Sequence, residues 1–156
     1  MKIFLASSNE LNREREYLAS LVFYQGRLLH DMGIGQRVEL VKWEYLDSPM
    51  GPLRKQEEYN LELATCDIVF VLFWRRFGEY TEEEFRIALE CMRNRQRPRR
   101  VVVMFKKGGE AVEPGLVSFR ESLVPEAGLE VMEFSNDDEL SQKAKSTIML
   151  CMEEGK

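Results

Sequence analysis

The residues best equipped for chemistry crowd into one stretch, Phe73-Trp-Arg-Arg-Phe-Gly-Glu-Tyr-Thr-Glu-Glu-Glu-Phe-Arg-Ile-Ala88, where aromatic rings and arginines surround the consecutive Glu82, Glu83 and Glu84. A positioned carboxylate can move a proton or stabilise developing positive charge. The same residues also have a structural use. Thr81 and Glu84 stand three apart, the spacing of a helix capping box, and Glu82 and Glu83 would then lie in a first turn, where the helix dipole favours negative charge. Spacing alone makes Glu84 a cap residue and leaves direct catalytic work as the alternative.

Other chemistries are short of equipment. The 156 residues include one histidine and three cysteines, too few for a His-rich metal site, a four-cysteine zinc site or a disulfide framework. Any Ser-His or Cys-His mechanism would have to use His30, at the far end of a predicted helix. Cys66, Cys91 and Cys151 read as small core residues. No P-loop pattern occurs, and no G-x-G-x-x-G follows the first apolar run, which disfavours ordinary ATPases and dinucleotide dehydrogenases. No apolar run is long enough to cross a membrane and the N-terminus lacks a signal-peptide pattern. The expectation is a cytoplasmic protein of one domain, residues 1–156, with no metal and no bound cofactor.

The elements that must position these residues follow from periodicity. Residues 3–6 form a short apolar run, and a helical pattern from Leu11 to Met32 follows Ser7-Ser8-Asn9, in which Ser7 and Glu10 have capping-box spacing. Residues 37–45 read as a strand, residues 46–53 as a proline-rich loop, and residues 53–65 as a helix. Residues 67–74 (DIVFVLFW) form the most apolar run and belong at the centre of a parallel sheet covered on both faces. A helix beginning at Thr81, a strand over 100–105, either a short helix or an irregular connection over 113–123, a strand over 129–134 and a helix capped by Ser135 or Asn136 complete the chain. This alternation predicts an α/β fold, a doubly wound, mostly parallel five-stranded sheet of order 2-1-3-4-5 with helices on both faces. In such a sheet the ligand crevice lies outside the carboxyl ends of the first and third strands.

That rule gathers a candidate site. Ser7, Ser8 and Asn9 would meet a ribose or phosphate at a helix N-terminus, or simply cap that helix. Trp43 and Trp74 would stack on a base, or pack in the core. Phe77, Gly78 and Tyr80 would shape the loop leading to Thr81 and Glu84, with Gly78 supplying a tight turn.

Three segments, Ile3-Phe-Leu-Ala-Ser-Ser8, Cys66-Asp-Ile-Val-Phe-Val-Leu-Phe73 and Phe77-Gly-x-Tyr-Thr-x-x-Glu-Phe-x-x-Ala88, together resemble the TIR-like effector domains of bacterial defence proteins. The spacing Thr81-x-x-Glu84-x-x-x-Ala88 after Gly78 is also similar to the motif of nucleoside deoxyribosyltransferases, relatives in which the glutamate acts at the sugar C1′. The likeness covers roughly residues 1–105. It implies hydrolysis of the nicotinamide–ribose bond of NAD, with Glu84 holding the ribose hydroxyls and stabilising charge at C1′. Such cleavage passes through an oxocarbenium-like transition state, and the cationic nicotinamide leaves without a general acid. Glu82 and Glu83 are the nearest alternatives to Glu84. A non-catalytic TIR-type interaction or nucleotide-sensing module, and a nucleoside or nucleotide N-glycosidase or deoxyribosyltransferase-like enzyme, are the competing readings.

The resemblance also implies self-association through the loop at 46–53, and fusion to or regulation by a sensor or NTPase module. Arg93-Asn-Arg-Gln-Arg-Pro-Arg-Arg100 carries five arginines in a chain of net charge −5, a contrast that suits an acidic partner or a neighbouring subunit, or else a solvated helix end. Nucleic acid is disfavoured by the acidic balance and the lack of interleaved aromatics.

Overall fold

The computed structural model describes residues 1–34, 37–42, 52–94, 96–109 and 111–155, with residues 42, 52–56, 59, 79 and 80 described by their backbone alone. The elements are β1 (Lys2–Ser7), a single 3-10 turn (Asn9–Leu11), α1 (Asn12–Asp31), β2 (Glu39–Lys42), α2 (Pro52–Leu63), β3 (Ile68–Phe73), α3 (Glu79–Arg93), β4 (Arg100–Lys106), α4 (Pro114–Ser122), β5 (Leu129–Phe134) and α5 (Asp137–Glu154). The five strands run parallel in the order β2-β1-β3-β4-β5, as the alternating pattern predicts.

Side-chain alternation along each strand divides the core in two. Phe4 and Ala6 of β1, Val69, Val71 and Phe73 of β3, and Val101 and Val103 of β4 face Leu63 of α2, Phe85 and Ala88 of α3, and Phe119 of α4. Ile3, Leu5, Ile68, Phe70, Leu72 and Val102 face α1 and α5. All six residues of β3 are buried, which accounts for its unbroken apolar sequence.

Local signals account for several boundaries. Pro114 opens α4, where its missing N–H and fixed φ cost nothing, so residues 113–123 resolve to a helix. At α5 the Asn136 side chain accepts the Glu139 N–H at 2.9 Å, while Glu139 accepts the Ser135 N–H at 2.8 Å. Asn136 is therefore the cap and Ser135 its partner. The 39–42 part of the predicted second strand is observed, whereas Trp43 and the loop residues 46–51 lie outside the described residues. Among the described residues no helix is long and apolar enough to cross a membrane.

The predicted start of α3 needs correction. The helix begins at Glu79, with Gly78 as its N-cap residue and no side-chain cap bond, and Glu82 N–H donates to the Gly78 carbonyl at 3.0 Å. Thr81 and Glu84 therefore lie inside the helix and form no capping box. Gly78 allows this tight entry, since a Cβ there would stand 3.2 Å from Thr81 Oγ1.

Candidate active site

Parallel pairing of β1 with β3 sets Ser7 opposite Leu72, so the connections leaving both strands emerge side by side at the carboxyl edge of the sheet. A Cβ at Gly78 would also lie 3.8 Å from Ser8 Cβ. Ser8, Gly78 and Thr81 thus meet, one helical turn before Glu84.

Glu84 is 1% exposed. It belongs to a buried stripe of α3, Thr81, Glu84, Phe85, Ala88 and Leu89, whose spacing is that of one helix face. Five phenylalanines fix this face from below. Phe119 of α4 lies 5.2 Å from Phe85, 5.3 Å from Phe73 and 4.9 Å from Phe77, and Phe105 stacks on Phe73 at 5.7 Å. Each fully buried phenylalanine contributes about 1.5–3 kcal/mol, enough to hold a helix that carries a carboxylate inward. Burial also distinguishes the three glutamates, for Glu82 is half-buried and paired with Arg86 at 2.6 Å, and Glu83 is half-buried.

The β1–α1 connection departs from its sequence reading. Ser7 and Glu10 do not form a capping box, and Ser8, although it precedes the 3-10 turn with extended backbone, makes no cap bond with its side chain. Instead Glu10 Oε1 accepts the consecutive N–H groups of Arg75 and Arg76 at 2.8 and 2.9 Å. Ser7 Oγ, Ser8 Oγ and Glu10 Oε2 are buried without hydrogen-bond partners. Glu10 Oε2 lies 4.0 Å from the Arg75 guanidinium, which leaves the two serine hydroxyls as the unsatisfied pair, an exception among buried polar groups. Asn9 is exposed.

The loop between β3 and α3 is held from its other side as well. Glu113, just before α4, accepts the Phe77 N–H at 2.7 Å, and its own N–H donates to the Arg75 carbonyl at 2.8 Å. The Trp74 indole N–H donates to the Gly108 carbonyl at 2.6 Å, and the Arg75 guanidinium and Lys106 ammonium sit 4.0 and 4.2 Å from the centre of its ring. Trp74 therefore ties the β3–α3 loop to the β4–α4 loop. Phe77 likewise belongs to the phenylalanine cluster. Tyr80 lies in the first turn of α3, its side chain outside the described residues.

Alternative nucleophiles are poorly placed. His30 is exposed in the last turn of α1, at the opposite end of the sheet. Burial pushes the Cys66 thiol up to about 12 and raises that of Cys151, so both stay protonated at neutral pH. Among the described residues no group of three or more His, Cys, Asp or Glu side chains is placed to hold a metal ion.

Sequence spacing missed one polar cluster beside the site. Glu14, 3% exposed, accepts the Lys106 ammonium at 2.7 Å and lies 3.1 Å from Arg13, which bridges to Asp137 at 2.9 Å. Burial pushes the Glu14 carboxyl up, but the Lys106 hydrogen bond and the nearby cations outweigh it and hold it below its ordinary value. The described arginines of the run, some of them exposed, are each paired with acidic side chains of this same chain. Arg93 pairs with Glu126, Arg97 and Arg99 with the buried Asp67, and Arg100 with Glu130 and Glu154, while Arg95 lies outside the described residues.

No family model and no curated protein matches the chain. Among solved structures it is similar to a CMP N-glycosidase from Clostridium botulinum, with a TM-score of 0.59 and 13% identity over 94% of this chain and 99% of that one. A flavodiiron core from Synechocystis matches with a TM-score of 0.48 and 15% identity over 99% of this chain and 36% of that one. A flavodiiron protein from Giardia intestinalis matches with a TM-score of 0.44 and 14% identity over 97% and 37%. At such identities the likeness is one of fold, and with the N-glycosidase it runs nearly end to end.

Proposed function

We propose that this chain hydrolyses the N-glycosidic bond of a nucleotide, with Glu84 stabilising the positive charge that develops at C1′. The observation that carries this reading is the buried Glu84 of α3 beyond the carboxyl end of β3, one turn from Gly78 and Thr81 where they meet the β1–α1 connection with its unpartnered Ser7 and Ser8 hydroxyls. The end-to-end likeness to a CMP N-glycosidase supports a nucleotide as substrate, and the motif spacing shared with deoxyribosyltransferases supports the role of Glu84. In this reading Ser7, Ser8 and Thr81 contact sugar or phosphate, Gly78 keeps the approach open, and Phe77 and Trp74 set the surrounding loops. A carboxylate so placed strengthens its hold on C1′ as the oxocarbenium forms.

NAD is the second substrate proposed, on a specific ground. The one histidine of the chain lies at the opposite end of the sheet, and a cationic nicotinamide departs without protonation. Activation by self-association would accompany that reading. The test is to incubate the protein and Glu84→Gln with CMP, other nucleoside monophosphates, nucleosides and NAD at several protein concentrations, and to follow free base. Base release from at least one substrate, lost in the variant, supports the proposal. No release from any, or equal release from both proteins, rejects it.

A further inference from the structure

The backbone amides of Arg75, Arg76 and Phe77 are consecutive, and all three are bound by carboxylates from outside their own loop. Glu10 arrives from the β1–α1 connection and takes two of them, while Glu113 arrives from the β4–α4 connection and takes the third. Glu113 also returns its own N–H to the Arg75 carbonyl, so the loop is fixed through both donors and acceptors. The sequence distances, 65 residues from Glu10 to Arg75 and 36 from Phe77 to Glu113, mean that three separate connections converge on this point. Gly78 follows at once and α3 begins at the next residue.

Resting on the activity proposed above, we infer that Glu10 and Glu113 are positioning residues that set where α3 starts and hence where the Glu84 carboxylate stands. Hydrogen bonds from amides to an ionised carboxylate are the stronger kind and are directional, and Glu10 makes its pair at 6% side-chain exposure, where water competes little. Two anchors on opposite sides of a three-residue span leave the loop no room to pivot, whereas one anchor would leave a hinge. Misplacing a reacting carboxylate by about 1 Å costs on the order of a hundredfold in rate, so such anchors act on turnover more than on substrate capture.

The test pairs amide-resolved hydrogen exchange by NMR with steady-state kinetics on Glu10→Ala, Glu10→Gln and Glu113→Ala. Glu10→Ala is expected to speed exchange at Arg75 and Arg76 by about tenfold or more, and Glu113→Ala to do the same at Phe77. Both should lower kcat by about ten- to a hundredfold with KM little changed, and Glu10→Gln, which keeps a carbonyl acceptor, should recover most of the loss. Unchanged exchange at those amides, or faster exchange with kcat unaltered, overturns the inference, as does a loss that appears in KM alone. Should Glu10→Ala fail to fold, Glu113→Ala, altered at an exposed residue, decides the matter. If the unaltered protein releases no base from any substrate, the activity reading falls, and the exchange pattern still decides whether the two carboxylates hold the loop.

Discussion

Glu84 places a carboxyl group on the buried face of α3, beside Thr81, Phe85 and Ala88. Burying a carboxyl group is costly, and a site that accepts the cost is a functional candidate. Glu84→Gln, which keeps the size of the side chain and its capacity to hydrogen-bond, is therefore expected to abolish base release while the protein still melts cooperatively, as calorimetry would show. Glu14 carries a different prediction. Its carboxyl is held below the ordinary value of 4.5, so the stability it contributes is present above pH 4.5 and is lost as pH falls from there through its own lowered pKa. Urea midpoints of the protein and Glu14→Gln should accordingly differ most near neutrality and converge in acid. Local spacing brought Glu84 into view, though as a cap. It cast Glu10 as a cap partner of Ser7 and gave no hint of Glu14, because their true partners Arg75 and Lys106 lie 65 and 92 residues away.

At the scale of elements, the site depends on how α3 is seated and on how the loops at the carboxyl edge interlock. Phe119→Ala removes the ring that meets Phe73, Phe77 and Phe85 at once, and should cost about 3–5 kcal/mol in denaturant unfolding. The Gly108-Gly109 turn is equally constrained. Gly109 has φ +93°, and a Cβ there would stand 2.9 Å from Arg75 Cδ and 3.0 Å from Trp74 Nε1. Gly109→Ala should destabilise by about 1–3 kcal/mol and, by displacing Trp74, lower turnover. Strands and most helices were legible because hydrophobic period is a local property. The start of α3 was not, because capping-box spacing at Thr81 competed with an entry at Gly78 that the neighbouring loops impose.

The two edges of the sheet divide the labour, with the unpartnered Ser7 and Ser8 hydroxyls at the carboxyl edge and the buried Asp67 gathering its arginines at the amino edge. Asp67, just before β3, accepts the Lys2 N–H at 2.8 Å and pairs with Arg97 and Arg99. Asp67→Ala should thus cost about 1.5–3 kcal/mol of stability by urea titration and leave catalytic rates at saturating substrate intact. The acidic partners of the arginine run, such as Glu130 and Glu154, were not legible in the sequence because they are distant along the chain. The parallel sheet, by contrast, followed from alternation, and the flavodoxin-like order 2-1-3-4-5 expected for it, which the structure has, marked the edge where Glu84 had to be sought. The central claim, that this edge cleaves an N-glycosidic bond through Glu84, is tested most directly by chromatography of nucleoside monophosphates, nucleosides and NAD after incubation with the protein and with Glu84→Gln. Free base in equal amount to the ribosyl product is predicted from at least one substrate with the unaltered chain and none above background with the variant; every substrate intact with both proteins, or equal cleavage by both, would contradict the claim.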